Sequence, residues 1–486
     1  GLGDVYKRQI MNRLKIFLVA IAAVTFSSCD QWLDINTDPN YPSEIPTAMP
    51  ITSGMGSAAT VIGGQYAILG ALWAQHFTQD NTANQYKAWD SYNVTSSVMN
   101  SEYLKLYAYS LTDFKKAIKR SAEVEDWNNY LIGTVMEAYV FQVLVDLYGT
   151  VPYFEACKAD EGVTTPKFDS GEEIYSDLFA RLDDALSKDF KATTCTDPGN
   201  ADLIFGGNIE HWKEFANTLK LKLAIRQYKA KQSESEQIIN SMLNSGVKFL
   251  SVDASINGYK DAPGNYNPFY DSEVYGLGNA NLKASNTTLN FVRANNDPRL
   301  SYMYEKGNRG EYEGLDQGDY SKPAAEQPTG SLSKGKISAS DPVIFLSAAE
   351  SAFLQAEALV KCKGGAGAQD KYEEGVRAAF NRYGIASEAD ALLQAGAAYE
   401  YDSANPLKSI ITQKWLSMFL SQGLEAFFEF NRTGYPDHFT VSKNSILVDK
   451  TAFIQRLVFP EYELTSNKEN VPQRVEPDVP LWWAVK

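Results

Sequence analysis

The stretch YLIGTVMEAYVFQVLVDLYGTVPYFEA, Tyr130 to Ala156, limits most strongly what this chain can fold into. Leu131/Ile132, Val135/Met136, Tyr139/Val140, Val143/Leu144 and Leu147 recur every three to four residues, which is one broad apolar face of a helix. Gly149 predicts a left-handed stop, and Pro152 bars resumption. Directly after it, DSGEEIYSDLFARLDDALSK places Ser170 and Glu173 at capping-box spacing, with a stripe of Ile174, Leu178, Leu182 and Ala185 or Leu186. The two segments predict a helical hairpin. A second hairpin follows the same plan: Trp212, Phe215, Ala216, Leu219 and Leu223 mark one helix, and Ile238, Ile239, Met242 and Leu243 mark its neighbour, stopped by Gly246. A third opens on the capping-box spacing of Ser347 and Glu350, and its partner carries Tyr372, Val376, Ala379, Phe380 and a terminal Gly384.

Hairpins of this kind resemble tetratricopeptide repeats, in which each pair buries its apolar face on the next. Ala348, Ala352 and Ala356 permit close helix contact, but the strict repeat consensus is absent, so the units are irregular and form no tandem array. Two blocks, residues 256–285 and 306–342, are rich in Gly, Asn, Asp, Ser and Tyr with no helical period. Loops of that length inside a compact protein usually carry function or are ordered by a partner. The expected fold is therefore mostly α: irregular tetratricopeptide-like helical hairpins, a long loop-rich ligand-binding face and minor β.

The N-terminal region reads differently. Met11, Arg13 and Lys15 precede nine apolar residues, Ile16 to Val24, too few for the roughly 20 that span a bilayer. This is the pattern of a secretory signal, and Phe26-Ser27-Ser28-Cys29 looks like a lipobox. Cleavage is expected between Ser28 and Cys29, with Cys29 lipidated; an ordinary signal with an incidental cysteine is the alternative. Residues 1–10 lie before the natural start at Met11 and read as an assembly leftover, which leaves 29–486 as a single helical domain. Removing residues 1–28 takes away Lys7, Arg8, Arg13, Lys15 and Asp4 from totals of 45 basic and 60 acidic residues, leaving 41 and 59, a net charge of −18. With no basic tract, nucleic acid is an improbable partner. An anionic membrane surface would repel such a chain, so the lipid is its anchor. Beyond Cys29, the cysteines Cys157, Cys195 and Cys362 lack zinc-site spacing. Cys157 and Cys195 are compatible with a disulfide in an oxidising compartment and equally with remaining unlinked.

Catalytic signatures are missing. His76, His211 and His438 lie in no H-E-x-x-H arrangement, and neither a G-x-S-x-G elbow nor a P-loop is present. KGGAGAQD joins two helices and reads as a turn. DINTDPN alternates acids and amides as a calcium loop does, but has Pro39 and Ile45 where glycine and glutamate are required. The expectation is a non-enzyme with no catalytic residues, metal or cofactor, although 60 acidic residues leave room for an unlocated carboxylate pair. What the chain has instead is aromatic: 28 Tyr, 24 Phe and 8 Trp, a surplus that suggests amphipathic contact surfaces. Sugar rings have apolar C–H faces and polar rims, so they call for flat aromatic platforms edged by amides and carboxylates. The densest mixture of this kind gives the candidate ligand-binding residues Trp89, Tyr92, Tyr86, Gln85 and Trp73, with core packing as the competing role, strongest for Trp73 on the apolar run AILGALWA.

Several segments together resemble one family, the SusD/RagB outer-membrane lipoproteins. They are CDQWLDINTDPN, AYVFQVLVDLYGTVPYFEA, HWKEFANTLKLKLAIR, NDPRL at Asn296–Leu300, QKWLSMFLSQGLEAFFEFNRTGYP and RLVFPEYELTSN, in the family's order. Phe459 stands where the family more often has tyrosine. Arg226 in the third segment is available for a buried ion pair, and Arg432 in the fifth for nearby carbonyls or carboxylates; both are scaffold roles. The resemblance implies a surface-exposed lipoprotein of the outer membrane, without catalysis, that binds a nutrient oligosaccharide and delivers it to a SusC-like TonB-dependent transporter. The same scaffold binding peptides is one alternative, and a secreted glycosidase with a helical fold is another. Ligand surfaces vary across the family, so the candidate residues rest on the aromatic pattern alone.

Overall fold

The helix Trp127–Tyr148 is the axis of the molecule: from Leu131 to Tyr148 every residue is buried. The apolar face expected from the sequence is thus widened to the whole circumference, polar positions included. The structure, a computed structural model, describes residues 46–485, and Thr47–Lys486 forms one compact unit. The signal segment, the cleavage position and Cys29 lie outside the described residues.

Helices of nine residues or more are α1 (Ala48–Ile62), α2 (Gln65–Trp73), α3 (Thr112–Glu123), α4 (Trp127–Tyr148), α5 (Gly171–Leu186), α6 (Ile209–Arg226), α7 (Gln232–Ser245), α8 (Asn286–Ala294), α9 (Ala348–Cys362), α10 (Ala368–Asn381), α11 (Pro406–Ser417) and α12 (Gly423–Thr433). The three expected hairpins are α4–α5, α6–α7 and α9–α10, each with its members packed together. Short antiparallel strand pairs supply the minor β: β1 (Phe77–Gln79) with β5 (Leu282–Ala284), β2 (Thr150–Pro152) with β3 (Phe168–Ser170), and β4 (Ala254–Ile256) with β6 (Val343–Leu346). They act as clasps, β1–β5 closing the first long loop block onto the end of α2.

Local chemistry explains the boundaries. Gly149 ends α4 at φ 82°, and a Cβ there would stand 2.8 Å from the Arg456 guanidinium, so glycine is required twice over. Ser170 and Glu173 form the full capping box of α5. The third hairpin departs from expectation. Ser347 accepts from the Glu350 amide at 3.1 Å, but the Glu350 carboxylate does not reach back to the cap. It is buried, 2.7 Å from Lys222.

That carboxylate belongs to a dry ionic cluster tying α4, α6, α9, α11 and α12. Arg226 meets Asp146 at 3.3 Å, Glu429 at 2.7 Å and also Glu425. Arg432 holds Glu357 bidentately, at 2.7 Å for each bond, and Glu429 at 2.6 Å, while Lys414 lies 3.4 Å from Glu429. Burial by itself would raise the pKa of Glu425, Glu429 and Glu357, but the surrounding arginines and lysines outweigh it and hold all three below the usual carboxylate range. Arg226 and Arg432 have the scaffold roles their positions suggested.

One expectation is corrected and one open question is closed. Much of the aromatic surplus is core: Trp212, Trp415, Trp483, Tyr66, Tyr103 and Tyr148 are all fully buried. Some of these tyrosines serve buried charges, as when Tyr175 donates to Asp146 at 2.7 Å and Tyr103 to Glu463 at 2.9 Å. The question left open for the cysteines also closes: Cys157, Cys195 and Cys362 are each free. Two segments, Ala48–Trp73 and Trp127–Tyr148, are long and apolar enough to cross a membrane, but 78% and 94% of their apolar windows are buried inside the protein.

Candidate ligand-binding face

After α2 the chain reverses through Gln75, at φ 56°, enters β1, and reaches a single helical turn, Lys87–Asp90. Of the sequence-derived candidates Trp89 lies in this turn and Gln85, Tyr86 and Tyr92 flank it, and the local geometry separates them. Trp73 is 3% exposed; its Nε1 donates to the Trp89 carbonyl at 3.0 Å and its ring lies 4.9 Å from Phe427 of α12. Tyr92 is also 3% exposed and sits in the left-handed region at φ 61°, which turns its ring into the core. Tyr86 is buried, and its ring stacks on Trp89 with centroids 5.0 Å apart and planes 29° apart. Trp89 is half-buried and Gln85 exposed. The three-residue spacing therefore brings Tyr86 and Trp89 together but sends Tyr92 away, because the helix lasts one turn. Beside them the Lys87 ammonium lies 5.3 Å above the ring of Tyr320, a cation–π contact.

The first long loop block faces this turn. Asn267, buried, organises it: its Oδ1 accepts from the amides of Phe269 at 2.8 Å and Tyr270 at 3.2 Å, while its Nδ2 donates to the Asp341 carbonyl at 2.9 Å. The backbone then winds into a wide π-helical turn, Tyr270–Tyr275, the kind of local widening often found at functional sites. Within it Glu273 is buried and accepts from the amides of Asn281 at 3.0 Å and Leu282 at 2.9 Å. Burial raises its pKa. The same carboxylate lies against Tyr86, whose hydroxyl is pushed up by burial first and by Glu273 second. Gln85 adds a further tie, its amide donating to Asn281 Oδ1 at 3.0 Å.

On the outer side of that turn three tyrosines gather. Tyr266 lies 5.2 Å from Tyr270 and 4.9 Å from Tyr275, centroid to centroid, and Tyr275 is 62% exposed. A depression of about 400 Å³ adjoins Tyr266, its wall including also Tyr259, Asn257, Asn265 and Asp271. Aromatic faces bordered by two amides and a carboxylate meet both requirements of a sugar ring: an apolar surface for its C–H face and a rim for its hydroxyls. Sequence reading flagged the block as functional but did not single out these tyrosines. Their positions at 266, 270 and 275 are spaced four and five residues apart, which follows no single helical period, in a Gly- and Asn-rich setting.

Comparison with known proteins agrees with the helical architecture. Residues 39–460 match a family model, SusD-like, described as starch-binding associating with outer membrane. A SusD-like protein from Bacteroides thetaiotaomicron is 24% identical, with 91% of this chain and 99% of that one covered and a TM-score of 0.75. A SusD homolog from Bacteroides uniformis is 23% identical over 91% and 100% of the two chains, TM-score 0.73. A chitin-binding SusD homolog from Flavobacterium johnsoniae is 21% identical over 90% and 98%, TM-score 0.74. No curated protein matches this chain.

Proposed function

This chain belongs to the SusD-like family, and from that premise we propose that it is a glycan-binding protein of the outer membrane that captures an oligosaccharide on its loop face. One observation carries the reading: the Tyr266, Tyr270 and Tyr275 cluster, open to solvent at Tyr275 and edged by Asn265 and Asp271. Core packing does not account for an aromatic ring that is 62% exposed. The family's description as starch-binding and the chitin-binding relative point to the same ligand class. Trp89, with Gln85 beside it, extends the face through the Trp89–Tyr86–Glu273 contacts. Trp73 and Tyr92 support it from within.

Lipidation at Cys29 and transfer of the ligand to a SusC-like TonB-dependent barrel complete the reading, on the strength of the N-terminal motif and the family resemblance. Binding without turnover is part of it. Incubating the purified protein with a panel of neutral oligosaccharides and unstructured peptides, then measuring retention and product release, tests all three alternatives. Retention of an oligosaccharide without cleavage, weakened in Tyr275→Ala, supports the proposal. Retention of peptides alone favours the peptide alternative, and released sugar favours the hydrolase.

A further inference from the structure

Residues 257 and 258 are the only Asn-Gly pair in the chain, and the fold sets them in the first long loop block, directly after β4. The strand ends irregularly, its pairing with β6 shifting register between Ala254 and Ser255. Asn257 then leaves the ladder exposed, and Gly258 follows at φ 95°. An asparagine side chain holds an electrophilic carbon, Cγ, at the distance where the next residue's amide nitrogen closes a five-membered ring on it. That closure needs a free nitrogen, room for the chain to bend, and a route for the departing amide nitrogen.

All three are met at this pair. Among the described residues the Gly258 amide donates no hydrogen bond, whereas two residues on the Lys260 amide is held by the Asn265 carbonyl at 2.8 Å. A Cβ at 258 would meet nothing within 4 Å, and glycine carries none, so the backbone turns at no steric cost. Asn257 Nδ2 donates to Ser255 Oγ at 3.1 Å. Ser255 is 6% exposed, so its hydroxyl stays beside that nitrogen and can hand it a proton. Other asparagines before a small residue are restrained. Asn240 and Asn244 precede serines inside α7, where the following amide belongs to the helical ladder. Asn444, before Ser445, spends its Nδ2 on the Gly318 carbonyl at 2.6 Å.

We infer that Asn257 is a site of spontaneous covalent modification, in which the Gly258 amide nitrogen attacks Asn257 Cγ and expels the side-chain nitrogen as ammonia. One N–C bond forms as another breaks, and the proton lost from the Gly258 amide balances the one the departing nitrogen gains. Water then opens the cyclic imide at either carbonyl, to aspartate or isoaspartate, with no oxidant or reductant involved. Both products are carboxylates, which accept hydrogen bonds but donate none. The wall of the 400 Å³ depression therefore loses its donors at 257, and isoaspartate also adds a methylene to the backbone ahead of Tyr259. The conversion assumes nothing about the ligand; its effect on capture rests on the glycan reading above.

The test holds folded wild-type protein, Asn257→Gln and Ser255→Ala at pH 8 and at pH 5, then follows every asparagine peptide by mass after digestion, with aspartyl and isoaspartyl forms separated by chromatography. Expected is a gain of one dalton at the 257–258 peptide before any other, about tenfold faster at pH 8 than at pH 5, absent in Asn257→Gln and slowed in Ser255→Ala. No gain at 257–258 while other asparagines convert overturns the inference, as does conversion no faster than that of Asn240 and Asn244. An unchanged rate in Ser255→Ala overturns the part given to its hydroxyl. Oligosaccharide retention by the aged samples is read separately. A fall confined to aged wild type ties the conversion to capture, and equal retention in aged wild type and Asn257→Gln overturns that consequence alone. A mass gain in a protein that retains no oligosaccharide upholds the modification and overturns the glycan reading.

Discussion

The Gln317 side-chain amide donates simultaneously to the carboxylate of Asp90, at 2.5 Å, and to the carbonyl that ends α2 at Leu72, at 3.1 Å. Asp90 in turn accepts from the Thr78 hydroxyl at 2.7 Å and the Gln79 amide at 2.9 Å. One buried carboxylate thus fastens the second long loop block to the scaffold at the point where the candidate turn Lys87–Asp90 begins its exit. Loops carrying binding groups need this kind of support, since a site held loosely loses its geometry first.

Asp90→Asn is expected to be costly for that reason. The substitution keeps the volume but presents an NH2 group to a cluster of donors, leaving at least one buried donor unmet, at about 1–3 kcal/mol each. Urea denaturation should show a lowered midpoint at unchanged slope, and limited proteolysis should cut first within 306–342. A midpoint equal to wild type would show that the Asp90 bonds add nothing to holding the loop.

The aromatic residues should divide into two classes. Tyr86→Ala removes a fully buried ring stacked on Trp89, and losses of about 3–5 kcal/mol follow from emptying such a site. Tyr275→Ala removes an exposed ring and should leave the melting temperature within a degree or two, while weakening oligosaccharide binding about tenfold, in line with hot-spot truncations. Trp89→Ala, half-buried, should do some of each. Equal melting temperatures for Tyr86→Ala and wild type would contradict the core placement of Tyr86.

The helical hairpins were legible because burial writes itself into the 3.6-residue period, and even α4, buried on all sides, kept enough of it to be found. The ligand face was not, for two reasons visible in particular residues. Tyr92 and Tyr86 look like surface aromatics because their neighbours in sequence are polar; but Asp90 and Gln79 among those neighbours are themselves buried, satisfied by bonds to each other and to Gln317 and Tyr86. Tyr266 and Tyr275 meet through a π-helical turn, which no simple periodicity encodes. Arg226 was readable as an ion-pair partner, yet its three carboxylates come from α4 and α12, distances in sequence that only the fold closes.

Arg226→Met should be among the more damaging single changes in this chain. It leaves Asp146, Glu425 and Glu429 facing one another in a dry interior with only Lys222, Lys414 and Arg432 to offset them. Removing one partner from a buried pair costs about 3–5 kcal/mol. Adding Asp146→Asn to Arg226→Met should recover part of that loss, since it deletes a charge the arginine had served. A double variant less stable than the single one would show that Asp146 is not held by that arginine.

Stability should therefore depend on pH in an uncommon way. Burial raises Asp146 to about 6, against the help of Arg226, Gln142 and Tyr175, and likewise raises Asp90 to about 6 against its hydrogen bonds to Gln79 and Thr78. An acid whose folded pKa lies above its unfolded one contributes stability that is complete below the unfolded value, near 3.8, and is lost as pH rises through about 6. Glu357, Glu425 and Glu429 have the opposite sign: their contribution is present above 4.5 and fades as pH falls below it. Between pH 8 and pH 5 these two acids should add on the order of 1–3 kcal/mol to the unfolding free energy, given about 1.4 kcal/mol per pKa unit, while His76, which burial lowers to about 3, and His438, also lowered by burial, act in the opposite sense as pH falls through 6.5. Calorimetric melting between pH 4 and pH 8 measures the curve. The Asp90→Asn, Asp146→Asn double variant, whatever its absolute stability, lacks the two acids' contribution, so its stability should change less favourably than the wild type's on going from pH 8 to pH 5. A double variant whose change between pH 8 and pH 5 equals that of the wild type would show that these two carboxyl groups are not the buried acids that take up protons near neutral pH.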